Sequence, residues 1–595
     1  MSRYTEIKEA SHKNADIYTL KAGDIFEGSI SSSTDNDTIA LSLKANTSYR
    51  IEVTANHGHD QAGGRLLSTS GGGYITHLHD GETRQSSYRI VEFDDARKIY
   101  LAIDMQNLGV GGYTVKLTEN KDFTYGTLDE LAEELAYNYW EASDQDPAQW
   151  RMGEEKELTV DLSNLSKSAR KRAEWALDAW SHYSGISFTE SEQDSDISFN
   201  VGGRNSFARR SIEDGYLDHV DIKVAKALTT ERPEFGDQGY VAFLHEIGHA
   251  LGLGHPGPYN FTGTYGAHAL YQNDTELMSV LSYFDADRDF RNNDFWEADP
   301  VTPMAADLRA LEMLYGPTKV NKGNTVYGTG AFEGGPFGQS LSIDGPSEDG
   351  GIFRIGGHHL LTIKDDGGVD RIDLSDFVKG VGATQVINLA PGSVSNLHYW
   401  GSNRIYIYDT AIIENATGSD FEDDITGNHV ANTLAGGGGQ DVLRGAAGAD
   451  LLKGGRGHDK LFGGFGPDKL EGGSGRDRLF GGVGADQLDG GGGRDRIFGG
   501  KGVDRLAGGS GQDTLSGGTG SDVFVFSTNG DADLVKDFED DIDSLDLRAF
   551  GFSSVAEAKS YAKNDNGNAV FVFESGVSVT LLGTTVQDLS NDILI

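Results

Sequence analysis

The 595-residue chain contains no cysteine, only 11 prolines, and no apolar run approaching the length that spans a bilayer. Without cysteine no disulfide can staple it, which suits either a reducing compartment or an exported protein held together by metal ions. Basic residues are scarce as well: 50 Lys and Arg face 92 Asp and Glu, a formal net charge of -42 at pH 7. Nucleic acid is therefore not an expected partner, whereas multivalent cations are. The opening MSRYTEIKEASHKNADIYTL lacks the apolar core of a cleaved secretory leader, and no membrane span is expected. The chain is too long for one core, and three to five domains are the expectation.

What the chain does have is concentrated in two places. The first is His245-Glu246-Ile247-Gly248-His249-Ala250-Leu251-Gly252-Leu253-Gly254-His255. On a helix His245 and His249 stand one turn apart on one face, so both imidazoles can reach one ion. Gly252 can leave the right-handed region and swing His255 back as a third ligand. Three neutral imidazoles leave a fourth tetrahedral position for water, the arrangement of a single catalytic zinc, and Glu246 would face that water and take its proton. The second is a strict period of nine from Gly436, with Asp at 441, 450, 459, 468, 477, 486, 495, 504, 513 and 522, each followed two residues later by an apolar side chain. Glycines permit a tight turn with inward carbonyls, the Asp supplies a hard oxygen for Ca²⁺, and the apolar residue packs inside a parallel β-roll. Asp441, Asp450, Asp459, Asp468, Asp477, Asp486, Asp495, Asp504, Asp513 and Asp522 are thus candidate calcium ligands, several ions in all. Without calcium the segment is expected to be largely disordered.

The motif HEIGHALGLGH resembles the zinc signature of the metzincins, and its flanks, with ALDAW, DISFN and YGAHALYQND, resemble the serralysin family of secreted bacterial metalloendopeptidases. The nonapeptides resemble the RTX repeat. Ser279-Val280-Leu281-Ser282-Tyr283 matches the turn beneath the zinc, with Leu281 where the family has Met; Met278 is three residues too early. Tyr283 matches the serralysin tyrosine, which the resemblance makes a zinc ligand at rest and a hydrogen-bond donor to the reacting carbonyl. Asp365, Asp370 and Asp373, in a turn crowded with carboxylates, resemble a calcium loop of that family. The pieces around Asp35, Ala45 and Gly111 resemble a pre-peptidase C-terminal sandwich domain, and the terminal Asp592-Ile593-Leu594-Ile595 resembles an uncleaved type I secretion signal.

The expected architecture is multidomain: an antiparallel β-sandwich over 1–120, an α+β metzincin protease domain over 121–318, a β-rich connection over 319–430, an RTX parallel β-roll over 431–526, and a β cap with the secretion signal over 527–595. Strands are expected at 39–43, 49–53, 99–103, 113–117, 158–162 and 196–200, and a last protease helix from Thr302 to Gly316. The strand near Asp196 is a candidate edge for pairing an extended substrate. His57, His59, His77 and His79 form two His-x-His pairs that could meet at a metal, although loop residues are the simpler reading. The implied protein is a secreted, monomeric, extracellular zinc endopeptidase with protein or peptide substrates and the type I secretion apparatus as partner. The alternative is a calcium-binding RTX surface or adhesive protein whose protease fold has lost activity, with Leu281 as the defect.

Overall fold

In a computed structural model the chain divides into two compact units, Met1–Thr318 and Lys319–Ile595. The structure describes only the backbone of individual strands up to residue 113, then strand 111–119 and, apart from isolated positions, residues 125–259, 269–284, 299–328, 359–375, 384–398 and 402–595, with strands 341–342 and 353–354.

The first unit opens with two five-stranded sheets. Arg3–Thr5, Ile25–Ile30, Gly111–Glu119, Tyr49–Ala55 and Ser86–Val91 form one; Thr19–Leu20, Asp37–Leu43, Arg97–Ile103, Gly64–Leu67 and Tyr74–Leu78 form the other. All but the two shortest strands pair antiparallel. The four strands expected here fall inside observed ones. His57, His59, His79 and the side chain of His77 lie outside the described residues.

From residue 149 a six-stranded sheet follows. Ile197–Val201 lies between Glu157–Asp161 and Tyr216–Val224, all parallel, and Phe207–Glu213 adds antiparallel to Tyr216–Val224. The substrate edge expected near Asp196 is therefore interior: Ile197–Val201 pairs with Tyr216–Val224 on one side and, at Ile197 and Ser198, with Glu157–Asp161 on the other, while Phe207–Glu213 is one edge of the sheet and Ser187–Glu190 the other. Alternation buries Ile197 and Phe199 on one face of the sheet, but it is pairing that puts the strand inside. Two helices, Lys167–Ser184 and Gln238–Ala250, pack on each other and bury Trp175, Trp180, Phe243 and Ile247. The last helix is Ala305–Tyr315, stopped by Gly316 as expected. It begins three residues later than Thr302, because Asp307 accepts the Met304 N–H and so makes Met304 the cap.

In the second unit two parallel sheets run side by side. Thr433–Gly439, Leu451–Gly457, Lys469–Gly475 and Gln487–Gly493 stack in one; Val442–Ala447, Lys460–Phe465, Arg478–Val483 and Arg496–Lys501 stack in the other. Each residue pairs with the one 18 positions on, so one coil of this β-roll is two nonapeptides. Leu443, Leu452, Leu461, Leu470, Leu479, Ile497, Leu506 and Leu515 are fully buried inside it, each side chain stabilising the coil by about 1.5–3 kcal/mol relative to exposure. Phe462, Phe480 and Phe498 stack on the other face of one sheet at 4.9 and 5.1 Å between centroids. At the end of the chain Ile593 and Leu594 pair parallel with Leu545 and Asp546.

Candidate metal and catalytic site

The helix Gln238–Ala250 is fixed at both ends before it presents any ligand. At its start Asp237 caps the Tyr240 N–H at 2.8 Å while Arg172, 2% exposed, holds the same carboxylate. At its end three carbonyls that a helix leaves without partners are taken by ring N–H and phenol donors: Trp150 donates to Ala250, Tyr315 to Leu251, and Trp140 to Gly252, all at 2.7–2.8 Å. Gly252 has φ +100° and a Cβ there would stand 2.7 Å from the Ala148 carbonyl, so only glycine can turn the chain at this point.

That turn carries His255 back to His245 and His249, and the ligand nitrogens of all three lie within 4.8 Å of one another. His245 Nδ1 donates to the Val280 carbonyl at 2.9 Å and His249 Nδ1 to the Leu253 carbonyl at 2.8 Å, which places both ring protons on Nδ1. The two Nε2 lone pairs then face each other across 3.1 Å with no proton between them. His255, 2% exposed, has the Tyr259 backbone beside it as its polar neighbour and no well-formed hydrogen bond among the described residues. Burial pushes His245 down to about 4, His249 to about 3, and His255 well below its ordinary value, so all three are neutral. Three imidazole nitrogens that converge in this way could hold a metal ion, and zinc fits the donor set.

Glu246 lies beside them, 4% exposed, with Oε2 buried and without a partner among the described residues, and burial raises its carboxyl to about 8. Tyr283 is half-buried, its ring 5.8 Å from His245 and 4.6 Å from His255. Leu281 is fully buried beneath the helix: a Cβ on Gly248 would sit 3.2 Å from its Cδ2.

The turn that carries Leu281 and Tyr283 is anchored by a residue the sequence reading missed. Asp307, fully buried, accepts the Ser279 hydroxyl at 2.6 Å and the Val280 and Met304 N–H groups at 2.9 and 2.8 Å. Asp307 therefore holds the carbonyl that orients His245. Burial pushes its carboxyl up to about 7 against these three bonds. All three partners donate, which favours the carboxylate. Asp274, also buried, accepts the hydroxyls of Tyr259 and Ser282 on the other side of the turn. Asp274 ends the stretch YGAHALYQND that carries the family resemblance, although no role was read for it, whereas an Asp three residues after a helix cap was the only sequence signal for Asp307.

The ligands open into a cleft of about 500 Å³ that Trp140, Glu246 and Tyr283 share with the edge strand Phe207–Glu213. On that strand Arg210 was also missed. Its guanidinium lies 3.3 Å from the centre of the Trp140 ring, and Trp140 meets His249 edge-on at 6.4 Å. Burial pulls Arg210 down to about 10.

The ten repeat aspartates occupy equivalent places. Each Oδ1 accepts a backbone N–H from one coil earlier, as in Asp459 N–H to Asp477 and Asp477 N–H to Asp495, both at 2.8 Å. Each Oδ2, from Asp441 through Asp522, is buried without a partner among the described residues. A Cβ at the glycine five residues before each Asp would collide with that same oxygen, so the turn is built around it. One free hard oxygen per turn suits Ca²⁺. Of the three carboxylates at the earlier turn, Asp365 and Asp370 are buried and face each other, and burial raises both. Asp373 pairs with Arg371 at 2.9 Å instead.

The chain is similar to known proteins in two regions. Residues 417–452, 426–461, 453–488, 462–497 and 489–524 match the RTX calcium-binding nonapeptide repeat. A serralysin of Photorhabdus luminescens is 29% identical over 329 residues, covering 53% of this chain and 62% of that protein. Metallopeptidase AprA of Pseudomonas marginalis is 30% identical over 288 residues, covering 46% of this chain and 57% of that protein. The chain is serralysin-like and carries RTX repeats. It matches only about six tenths of the length of these curated relatives. The pre-peptidase C-terminal domain of a Bacillus anthracis collagenase aligns along its whole length with 18% of the serralysin-like chain at 13% identity, but a TM-score of 0.16 carries no fold argument. The RTX match indicates that the roll binds calcium. Among the described residues no helix is long and apolar enough to cross a membrane.

Proposed function

We propose that the chain is a secreted zinc endopeptidase that hydrolyses peptide bonds of extracellular proteins. The observation that carries this reading is the convergence of three bare imidazole nitrogens beside the buried, unpartnered Oε2 of Glu246. When bound by His245, His249 and His255, zinc supplies an acidified water and a Lewis acid for the scissile carbonyl. Glu246 takes the proton from the attacking water and delivers it to the leaving amine. Tyr283 donates its hydroxyl to the carbonyl oxygen as charge develops there. The exposed side of Phe207–Glu213 pairs the extended substrate backbone along the cleft. No acyl-enzyme forms, because the nucleophile is water.

In the same reading residues 121–318 are an α+β metzincin domain, and the two sheets before it form a sandwich accessory domain over 1–120. Residues 319–430 connect to the roll over 431–526, and 527–595 cap it and carry the type I secretion signal. Asp365 and Asp370 hold one further calcium. The protein acts as a monomer outside the cell.

Hydrolysis of unfolded casein in calcium tests the reading. Wild type is expected to be active, and Glu246→Ala to lose roughly 10²–10⁴ in rate while keeping its zinc, read by elemental analysis. A wild type that binds zinc and calcium yet cleaves nothing would favour the inactive RTX surface protein instead.

A further inference from the structure

The fold treats two arginines, Arg172 buried and Arg210 half-buried, in opposite ways. Arg172 is chelated by the Asp237 carboxylate through both Nε and Nη2. Arg210 stands mid-strand on Phe207–Glu213, stacked on Trp140, and donates from Nη2 to the neutral amide of Gln145 at 3.0 Å. Its Nη1 is out of solvent and has no hydrogen-bond partner among the described residues, nor does any of their carboxylates pair with it. That is unusual in a chain with 92 acidic residues against 50 basic. A half-buried cation that meets no carboxylate among the described residues is partly desolvated at a cost, which an arriving anion reduces. The planar fork of guanidinium donors matches a carboxylate. Phe207, Ala208 and Ile212 also line the cleft on either side of Arg210, so a bound chain continues past it in both directions.

We propose that Arg210 receives a carboxylate of the bound polypeptide, so that the enzyme selects substrates with an Asp or Glu side chain close to the scissile bond. The inference rests on the peptidase reading and adds to it a substrate class. Passage of the chain beyond Arg210 favours a side-chain carboxylate over a terminal one.

The test uses the full-length protein with zinc and calcium and end-blocked fluorogenic peptides that differ at one position, carrying Glu, Gln or Lys, scanned across both sides of the cleaved bond. At one position kcat/KM for Glu should exceed that for Gln roughly tenfold to a hundredfold, the range of a charge-assisted hydrogen bond. The ratio should fall to about one in Arg210→Gln, survive largely in Arg210→Lys, and turn toward the Lys peptide in Arg210→Glu. Equal rates for Glu and Gln at every position of wild type, which needs no variant to fold, would overturn the proposal; so would a preference that persists in Arg210→Gln. An Arg210-dependent preference found only in peptides with a free C-terminus would overturn the side-chain assignment and identify the terminal carboxylate as the group received. If no peptide is cleaved, the peptidase reading fails separately. Calorimetric binding of the Glu and Gln peptides then decides, equal affinities overturning the role of Arg210.

Discussion

The imidazole site proposed for zinc and the calcium-binding roll bring cation donors together by opposite means. At the site three ligands are aimed by contacts that occur once each: the Val280 carbonyl for His245, the Leu253 carbonyl for His249, the Gly252 turn for His255. In the roll one rule repeats, and Asp459, Asp477 and Asp495 each accept the same bond from one coil earlier. A unit of single contacts has no neighbour to substitute for a lost one, whereas a repeat distributes the loss. Both regions withhold lone pairs that only a cation satisfies, but in the roll they number at least one per turn and lie inside the fold itself.

Calcium removal should separate the two most strongly. Chelation of the full-length protein is expected to abolish most of the β signal of the roll in circular dichroism, restored by added Ca²⁺, while the helical signal of residues 125–318 persists. Loss of both together, or of neither, would break the contrast. Next in size is a matched pair of substitutions read by thermal unfolding. Asp307→Ala leaves the Ser279 hydroxyl and two buried amides without an acceptor, and should cost about 3 kcal/mol and weaken zinc binding. Asp477→Ala removes one bond and one ligand of ten, and should cost about 1–2 kcal/mol. Equal costs would mean that the roll is no more tolerant than the site.

The same contrast explains what could be read from residues alone. The roll was legible almost completely, because its long-range contacts recur at a fixed offset and the period writes them into the sequence. The convergence of the three imidazoles was legible because a helix and one glycine bring them together within eleven residues, His245 to His255. Arg210 and Asp307 were not, since each reaches the site through sheet order or helix packing that no local pattern records. The edge strand failed for the same reason: alternation marks both Ile197–Val201 and Tyr216–Val224 as strands, but only their pairing shows that Phe207–Glu213 lies outside them.

A smaller effect concerns pH. Burial raises Asp441 to about 8, Asp468 and Asp495 to about 7, and Asp459 and Asp504 to about 6 in the calcium-free fold. An Asp near 3.9 when unfolded whose folded value is raised adds stability that is complete below about 4 and is lost as pH rises through about 6–8. In chelator, residual β signal should therefore grow as pH falls from about 8 toward 5. With calcium the sign inverts, because the ion binds the carboxylates, and acid should weaken calcium affinity. A chelated protein indifferent to pH over that range would show that these carboxylates do not limit folding.

The smallest effect is expected where the sequence looked most damaged. Leu281 is fully buried against the Gly248 face of the helix, yet the turn's contribution to the metal ligands runs through backbone. The Val280 carbonyl aims His245, and Asp307 holds the Val280 amide. The Leu281 N–H is itself taken by the Ser279 hydroxyl at 3.0 Å. Leu and Met fill similar volumes, so Leu281→Met should change stability by less than about 1.5 kcal/mol and leave casein hydrolysis within about twofold, a factor below half a kcal/mol. Leu281→Ala empties the floor instead and should cost about 2–5 kcal/mol. A Met variant that gains tenfold or more in rate would make the leucine a true defect, and would move the natural protein toward the inactive binding reading even with every imidazole in place.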